Sequence, residues 1–435
     1  MFFTIFKRPK KKFFDQAFRK KNKIQGPEDI KSSQYFCIVP WLHIHALPDS
    51  NVIPCCVSSY EDSYGNLKSH SLKEIWNNKR FKTMRRLKVM DRPVHGCHKC
   101  YEIEKSGIES MRKRLNRDFA HHYPILSQTQ IDGHVKDLKM RYLDIRFSNI
   151  CNFKCRGCSP ALSTKWYEDF QKLWDEKSNT PKLMNTAKDS PTLWNELEQM
   201  LPYIETAYFA GGEPLLMDEH YHCLEKLITL KKTDINLQYN TNLSVLKFKK
   251  YDLLQIWRHF KSVDLNVSLD DIETRGEYFR AGLDWEKFLH NFKQVRDEFP
   301  HFNFQVNCTI NIFNIHRIPE IHTTLLKHKL IDPEGFNFNT LLDPPHYRTQ
   351  VLPSRLKKER TIKLKAYMRS VDDNYPGQNW EKFKTELSNQ IHFMNSADLS
   401  KKLSTFRQVT KKLDQIRNQN FCKTYPELQE LYLNT

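Results

Sequence analysis

The 435-residue sequence contains no long hydrophobic run, and this absence excludes a membrane-spanning helix, which needs about 20 consecutive apolar residues. The N-terminal stretch MFFTIFKRPKKKFF places only a few apolar residues before a basic run, whereas a secretory signal needs an apolar core of about 7 to 15 residues. The sequence also lacks internal repeats and low-complexity segments. We therefore expect a globular cytoplasmic protein with no membrane partner.

Negative charge is also scarce, because 51 Asp and Glu residues face 69 Lys and Arg residues and leave a net charge of +18. A basic chain of this kind can bind an anionic partner such as nucleic acid. Apart from KRPKKK at 7–12 and RKKNK at 19–23, however, the charge is spread along solvated helix faces. This pattern favours ordinary solvated surfaces over a nucleic-acid site, although nucleic acid stays open as a partner.

The composition along the chain predicts four segments. Residues 1–32 form a basic arm, and residues 33–118 form a small domain that contains five cysteines. Residues 119–345 alternate between short apolar runs and longer amphipathic stretches, which is typical of strand–helix repeats that build a parallel sheet. Residues 346–435 are rich in lysine and mostly helical. The fold class is therefore α/β, with a helical C-terminal region.

Six strands are predicted in the alternating segment. They are 142–148, 206–212, 236–242, 263–270, 304–311 and 335–342. One clear helix is predicted earlier, over 71–87, opened by a capping box of Ser71 and Glu74. In barrels of parallel strands the active site lies at the C-terminal ends of the strands, so residues just after each strand are the candidates for function.

Three cysteines, Cys151, Cys155 and Cys158, follow the first of these strands with the spacing C-x3-C-x2-C. In a reducing compartment, clustered cysteines are more often metal ligands or catalytic thiols than disulfides. Three thiolates can hold an iron–sulfur cluster and leave one iron open to a substrate, whereas a structural zinc site is closed by four ligands. The alternative is a zinc site completed by a distant His or Cys.

This motif resembles that of the radical S-adenosylmethionine (SAM) superfamily. Membership implies a partial (βα)6 TIM-type barrel and a [4Fe-4S] cluster on Cys151, Cys155 and Cys158, whose open iron binds the amino and carboxylate groups of SAM. Many members have an aromatic residue just before the third cysteine, where this sequence has Gly157. The packing that such a ring gives the cluster must then come from elsewhere, and Phe153 is a candidate.

The ends of the later strands carry further matches to the same superfamily. After the second strand, Gly211, Gly212, Glu213 and Pro214 match its GGEP motif, whose polar groups receive the ammonium of SAM. The resemblance also implies SAM contacts from Asn240 after the third strand, Ser268 after the fourth, and Arg280. Satisfied turn residues are an equal alternative for Asn240 and Ser268. A surface arginine is the alternative for Arg280.

The N-terminal segment holds a second set of cysteines: Cys37, Cys55, Cys56, Cys97 and Cys100. Four of these thiols suffice for either a tetrahedral zinc or a cubane cluster, and spacing alone does not choose. The surrounding sequence resembles the SPASM and twitch domains of radical SAM enzymes. That resemblance implies an auxiliary [4Fe-4S] cluster on Cys37, Cys55, Cys97 and Cys100, with Cys56 as a spare or a substitute for Cys55. Such domains usually follow the barrel, whereas this one precedes it.

Together these matches imply an enzyme that reductively cleaves SAM and uses the resulting 5′-deoxyadenosyl radical to abstract hydrogen from a C–H bond. Related enzymes with auxiliary domains often modify peptides, so a peptide is the first expected substrate, with a small molecule as another option. A one-electron reductant such as flavodoxin or ferredoxin is the expected partner. Two alternatives stay open: a nucleotide, carbohydrate or RNA substrate, and a non-catalytic protein with structural zinc sites.

Overall fold

A computed structural model of the chain describes residues 23–24, 26–105, 109–176 and 179–433. The chain divides into two compact units. The first consists of Met1–Phe147 and Asn185–Ala207, and the second of Ser148–Met184 and Tyr208–Thr435. Most of the basic arm predicted over 1–32 lies outside the described residues, and the predicted boundaries at 32, 118 and 345 stay predictions.

Among the described residues, the first unit has only short strands, and the second has both two-residue strands and longer ones. In chain order they are β1 (His45–Ala46), β2 (Asn51–Ile53), β3 (Gly65–Asn66), β4 (Tyr142–Ile145), β5 (Lys154–Cys155), β6 (Thr206–Phe209), β7 (Asn236–Thr241), β8 (Lys247–Phe248), β9 (Tyr251–Asp252), β10 (Ser262–Ser268), β11 (Arg280–Ala281), β12 (Asn303–Ile310) and β13 (Phe336–Thr340). Each of the six predicted strands corresponds to one of these, namely β4, β6, β7, β10, β12 and β13.

The helices alternate with these strands along the chain and make up most of the C-terminal region. They are α1 (Pro27–Ser32), α2 (Leu72–Trp76), α3 (Lys79–Val89), α4 (His98–Lys105), α5 (Met111–Asp118), α6 (Trp166–Trp174), α7 (Thr186–Asp189), α8 (Leu193–Met200), α9 (Asp218–Thr229), α10 (Leu253–Trp257), α11 (Glu273–Phe279), α12 (Trp285–Glu298), α13 (Ile318–Lys327), α14 (Ser354–Asn374), α15 (Glu381–Asn395), α16 (Leu403–Arg417), α17 (Phe421–Thr424) and α18 (Gln429–Tyr432). Within the described ranges, every helix is too short or too polar to cross a membrane.

In the first unit, a small sheet supports the cysteine-rich segment. β1 pairs antiparallel with β2, and β2 pairs antiparallel with β3. β1 also pairs in parallel with β4, which pairs in parallel with the start of β6. The side chains of Trp41 and Trp76 are fully buried in this unit, in a core that also contains many aliphatic residues such as Ile38, Leu42 and Ile53.

The predicted helix over 71–87 is two helices. The capping box is present, because Ser71 Oγ accepts a hydrogen bond from Glu74 N while the Glu74 carboxylate accepts one from Ser71 N. The first helix, α2, ends at Trp76, and Asn78 then caps α3 by accepting a hydrogen bond from Phe81 N. An asparagine side chain that bonds its neighbouring backbone competes with helix continuation, so the chain starts a new helix there.

In the second unit, β7, β10, β12 and β13 pair in parallel in that order. Helical crossovers join them, with α10 after β7, α11 and α12 after β10, and α13 after β12. This is the α/β pattern that the sequence predicts. Because the strands are parallel, their C-terminal ends lie at one edge, where the loops that carry the candidate site residues begin.

Candidate functional site

The loop that carries Cys151, Cys155 and Cys158 lies in the second unit, and a short strand fixes it. β5 pairs antiparallel with β11 and sets Cys155 opposite Arg280. Within the loop, Cys158 N donates to Cys155 O at 3.0 Å, which closes a turn. Each of the three thiols is partly covered by protein. The loop thus holds all three sulfurs along one short, ordered stretch.

Burial makes these thiols hard to ionise without a bound cation. It raises the pKa of Cys158 to about 12 and raises the pKa values of Cys151 and Cys155 as well. For Cys151 the next cause is the negative charge of Glu213. Iron or zinc binds the thiolate and not the thiol, so metal binding here must release protons.

The spacing of the sulfurs separates a cluster from a single zinc ion. Zinc–sulfur bonds of about 2.3 Å place two thiolate ligands within about 4.6 Å of each other. Among the described residues, two groups of three His, Cys, Asp or Glu side chains have ligand atoms within 4.8 Å, and neither contains a cysteine. Both cysteine sets are therefore more open than one zinc requires, and they fit a larger group such as an iron–sulfur cluster.

The GGEP turn follows β6 and packs against the start of the cysteine loop. Gly212 N donates to Ser148 O at 3.3 Å, and Glu213 N donates to Ile150 O at 2.7 Å. A Cβ atom on Gly212 would lie 2.1 Å from the Ile150 carbonyl oxygen. Gly212 therefore permits a close approach of protein backbone just before Cys151.

The Glu213 carboxylate joins the ends of two strands. Its oxygens accept hydrogen bonds from Thr241 Oγ1 at 2.6 Å, Asn242 N at 2.7 Å and Leu215 N at 3.1 Å. Burial outweighs these bonds and raises the pKa of Glu213 to about 7. The side chain is 1% exposed. With a pKa of about 7, the carboxyl group is partly protonated at neutral pH, and a cation bound nearby would favour its charged form. Pro214 begins a buried helical turn directly after it.

The predicted SAM contacts on β7 and β10 belong to a polar face of the sheet. Asn240 and Ser268 are half-buried, whereas alternate residues such as Leu237 and Val267 are buried on the other face. Asn240 Oδ1 accepts from Asn307 Nδ2 at 3.1 Å, and Ser268 lies opposite Asn307 in register. Parallel sheets are normally apolar on both faces, so a polar, partly open face is suited to binding a polar ligand.

Arg280 is engaged by protein groups on both sides. Its Nε lies 2.9 Å from Asp270 Oδ2, and its Nη1 lies 3.9 Å from Cys155 Sγ. The side chain is 12% exposed, so it is a half-buried cation beside the cysteine loop and not a free surface arginine. The ion pair with Asp270 holds it there.

The position of the missing aromatic residue is filled from elsewhere in the second unit. A Cβ atom on Gly157 would lie 3.2 Å from Leu341 and 3.5 Å from the Phe279 ring. Phe153 is buried and packs against Gly282. Phe279 and Leu341 therefore cover the site at Gly157, and the sequence pointed to Phe153 because it is the aromatic residue inside the motif.

A buried ion pair that the sequence analysis missed anchors the cysteine loop to the C-terminal helices. Arg156, fully buried, donates to Asp414 Oδ1 on α16 at 2.5 Å, and the Tyr278 hydroxyl donates to the same oxygen at 2.7 Å. The Arg156 guanidinium also lies 4.0 Å from the Tyr278 ring centroid. The sequence does show a charged residue between two cysteines. Its partner Asp414 is 258 positions away, however, and no sequence pattern connects the two.

A second set of contacts from α16 supports the same loop. Arg417 Nε donates to Asp169 Oδ2 at 2.7 Å, and Lys154 Nζ donates to Asp169 Oδ1 at 2.9 Å. Trp166 Nε1 donates to Cys155 O at 2.6 Å, and the Arg417 guanidinium lies 5.0 Å from the Trp166 ring. The C-terminal region is thus part of the structure that orders the three thiols.

In the first unit, four thiols line one small cavity. They are Cys37, Cys55, Cys97 and Cys100. Burial raises the pKa of Cys37 to about 12 and raises the pKa of Cys55 well above its usual range, with further increases from the other thiols of the group. The four sulfurs therefore interact electrostatically while their spacing stays wider than one zinc requires.

Cys56 does not belong to this set. Its sulfur lies 3.6 Å from Met111 Sδ and close to the Asp144 carboxylate. It is absent from the lining of the four-thiol cavity. The structure thus brings Cys55, and not Cys56, to the other three thiols.

A lysine that no sequence motif singles out, Lys88, also lines the cavity. Lys88 Nζ donates to Tyr35 O at 2.9 Å and to Tyr101 Oη at 2.7 Å. Burial alone would lower the pKa of Lys88, but negative charge on Cys97 and Cys37 outweighs it and holds the pKa above its usual range. A buried cation beside four thiols favours an occupant with net negative charge, such as a thiolate-bound cluster.

Comparisons with known proteins identify both regions. The radical SAM superfamily model matches residues 145–325, and the SPASM model, described as an iron–sulfur cluster-binding domain, matches residues 37–101. Among curated proteins, a GTP 3',8-cyclase of Campylobacter lari is 27% identical over 137 residues. That match covers 30% of this chain and 35% of the cyclase, so the chain spans about a third of the relative it matches.

Solved structures resemble the chain at a low level. Native anSMEcpe with bound AdoMet has a TM-score of 0.38 and 17% identity, covering 57% of this chain and 62% of its own. Streptococcus suis SuiB bound to precursor peptide SuiA has a TM-score of 0.35 and 15% identity, covering 63% and 61%. At these scores, the ligands of the two proteins support no argument about this chain.

The two domain matches establish the cofactors. A radical SAM domain uses a [4Fe-4S] cluster and SAM, and a SPASM domain binds auxiliary iron–sulfur clusters. They also agree with the thiol spacing, because no three sulfurs of either cysteine set lie within 4.8 Å of one another. The chain belongs to the radical SAM superfamily, and a SPASM-type iron–sulfur domain precedes its radical SAM domain.

Proposed function

We propose that this chain reductively cleaves SAM and modifies a peptide at a C–H bond. The observation that carries the proposal is a loop of three partly buried thiols, too widely spaced for one zinc ion and packed against a buried carboxylate at the GGEP turn. When bound, the cluster and SAM together supply a one-electron cleavage of the S–C5′ bond, which yields methionine and a 5′-deoxyadenosyl radical that takes a hydrogen atom from the substrate.

In this proposal, different residues of the second unit bind the cluster and SAM. Cys151, Cys155 and Cys158 hold the cluster, and the half-buried cation Arg280 offsets the charge of Cys155. Glu213, whose pKa is near neutrality, would release its proton to solvent and accept hydrogen bonds from the amino group of SAM as a carboxylate. Gly211, Gly212 and Pro214 shape the turn. Asn240 and Ser268 supply hydrogen bonds from the polar face of the sheet.

We also propose that the six strands predicted from the sequence form a partial (βα)6 barrel with the polar face inside. The parallel order of β7, β10, β12 and β13 supports this arrangement. A barrel interior lined by polar side chains holds SAM and substrate and keeps water from the reacting atoms.

The auxiliary site has four thiols, Cys37, Cys55, Cys97 and Cys100, so a cluster held there has all its irons ligated. We propose that it passes electrons or stabilises the first unit and does not bind substrate directly. A one-electron reductant such as flavodoxin or ferredoxin supplies the electron. None of the eleven cysteines, all of which lie in the described residues, forms a disulfide, and this suits a reducing cytoplasm.

The peptide substrate rests on the SPASM domain, because related enzymes with this domain often modify peptides. A second candidate is a nucleotide substrate, which the likeness to a GTP 3',8-cyclase and the net charge of +18 favour. The two differ in salt dependence, because binding a polyanion releases counterions and weakens steeply with salt. Binding of a peptide without net charge changes little between 50 and about 200 mM salt.

The first experiment measures SAM cleavage. The full chain is purified without oxygen, reconstituted with iron and sulfide, and given SAM and dithionite. We expect 5′-deoxyadenosine from the wild type and none from Cys155→Ala, because two thiolates do not hold the cubane. A matched control is Cys422→Ala, which removes a cysteine outside both sets. Equal product from wild type and Cys155→Ala would reject the proposed initiator site.

A further inference from the structure

Two histidines and an aspartate meet in the interior of the first unit, and none of them lines the four-thiol cavity. His43 precedes β1, His45 begins it, and the parallel pairing with β4 sets His45 opposite Asp144. Each side chain offers one ligand atom, and the three atoms lie within 4.8 Å of one another. All three residues are at most 1% exposed. Bulk water therefore does not satisfy their polar atoms.

The ring of His43 is oriented like that of a metal ligand. Its Nδ1 lies 2.8 Å from the Tyr142 carbonyl oxygen. A carbonyl only accepts, so Nδ1 carries the hydrogen, and Nε2 of the neutral ring carries a lone pair. Nε2 is buried and has no hydrogen-bond partner. Histidines that bind metals commonly donate their other ring N–H to a carbonyl in this way.

His45 and Asp144 lie at ion-pair distance but outside hydrogen-bond geometry. His45 Nδ1 lies 3.1 Å from Asp144 Oδ2, but the angle makes no hydrogen bond, and neither carboxylate oxygen has a hydrogen-bond partner. Arg146 Nε lies 3.0 Å from Asp144 Oδ1 and offsets part of the charge, also outside hydrogen-bond geometry. Two ligand atoms on one ion stand about 3 to 4 Å apart without bonding to each other, given metal bonds of about 2.0 to 2.2 Å.

We propose that His43, His45 and Asp144 form a buried site for a divalent transition-metal ion, Zn²⁺, separate from both iron–sulfur clusters. Two imidazoles and a carboxylate are a ligand set that suits zinc. Cys56, which the four-thiol cavity leaves out, lies near Asp144, but its sulfur is not one of the ligand atoms that lie within 4.8 Å of one another. An ion here ties the segment before β1 to β4 and is structural, because the site is closed to solvent.

The test counts metals in the full chain after both cluster sites have been filled. The reconstituted protein is given one equivalent of Zn²⁺, desalted, and analysed for zinc, iron and sulfide. We expect the wild type to retain about one zinc per chain and His43→Gln to lose at least about four fifths of it, with iron and sulfide unchanged in both. Wild type that retains no zinc, or His43→Gln that retains as much as wild type, overturns the proposal.

The control is an exposed group with the same ligand types. His121 Nε2 and His122 Nε2 lie 2.7 and 2.6 Å from the two Glu205 oxygens, so these atoms already have partners. The double variant His121→Gln, His122→Gln removes this group, and we expect it to retain the zinc. If it loses the zinc instead, the ion sits at the surface group.

A second measurement needs no variant and remains informative if His43→Gln fails to fold. X-ray absorption at the zinc edge of the wild type distinguishes nitrogen and oxygen ligands at about 2.0 to 2.2 Å from sulfur at about 2.3 Å. We expect a shell of nitrogen and oxygen with at most one sulfur. A shell of three or four sulfurs puts zinc on the cluster cysteines and overturns the assignment.

Discussion

Cys55 and Cys56 are neighbours in the chain, yet their thiols lie in different surroundings. Cys55 lines the cavity with Cys37, Cys97 and Cys100, whereas Cys56 lies between Met111 and Asp144. The sequence alone does not decide which of the two completes the set. Their distances along the chain from Cys37 and Cys97 differ by only one residue, and the direction of each side chain is not visible in the sequence. The backbone conformation of the CC pair decides it.

Replacing these two cysteines one at a time tests the allocation. We expect Cys55→Ser to lower reconstituted iron and sulfide, by up to about four each, because the closed four-thiolate site loses one of its ligands. Cys56→Ser is the matched control and should keep the iron content of the wild type. Loss of one cluster in Cys56→Ser with none in Cys55→Ser would reverse the assignment.

Glu213 makes the free energy of unfolding depend on pH, and this free energy falls as the pH rises. Its pKa rises from 4.5 to about 7 on folding, chiefly through burial. Because the pKa is higher in the folded state, Glu213 makes its full contribution to the free energy of unfolding below about pH 4.5. This contribution is lost as the pH rises to about 7. At one pKa unit per 1.36 kcal/mol, the loss is at most about 3 kcal/mol.

The uncharged variant Glu213→Gln isolates this effect. We expect the thermal midpoint of the wild type to fall relative to that of Glu213→Gln between pH 5 and 8, measured without oxygen and without SAM. The difference should shrink when SAM is added, because hydrogen bonds from the amino group of SAM stabilise the carboxylate. A difference between the two proteins that does not change with pH contradicts a pKa near 7.

At the scale of elements, helix α16 is the part of the C-terminal region on which the cysteine loop depends. Asp414 accepts hydrogen bonds from Arg156 and Tyr278, and Arg417 pairs with Asp169. Removing one partner of a buried ion pair leaves the other charge uncompensated and costs about 3 to 5 kcal/mol. The same change at the surface costs far less, because water solvates the remaining charge.

Asp414→Ala should therefore lower the thermal midpoint and the iron content at the three-cysteine loop. Asp414→Asn keeps an acceptor and should fall between this variant and the wild type. Glu298→Ala, which breaks a partly exposed pair with Arg258, is the control and should change little. If Asp414→Ala and Glu298→Ala behave alike, α16 does not order the loop.

The elements differ in how well the sequence predicts them. The strands β7, β10 and β12 were found within about one or two residues, because β-branched and apolar residues alternate along them and polar turns bound them. The helix over 71–87 was predicted as one because its apolar spacing continues through Asn77 and Asn78. The break comes from side-chain capping, which periodicity does not register.

For the whole molecule, the sequence predicts the chemistry better than the packing around it. Both cysteine sets and the GGEP turn stand in short local motifs, so their spacing is visible in the sequence. The partners around them lie outside these motifs, because Lys88 reaches the four-thiol cavity from α3 and Asp414 reaches Arg156 from 258 positions away on α16. Contacts between residues hundreds of positions apart leave no periodic signal in one sequence.

The central claim is that the three-cysteine cluster has an open iron for SAM, while the four-cysteine cluster is closed. Electron paramagnetic resonance of the dithionite-reduced full chain, before and after SAM is added, tests it most directly when Cys37→Ala and Cys155→Ala are compared. We expect SAM to change the spectrum of Cys37→Ala and to leave that of Cys155→Ala unchanged. A SAM-dependent change that persists in Cys155→Ala and disappears in Cys37→Ala would place SAM at the SPASM-type domain and contradict the assignment.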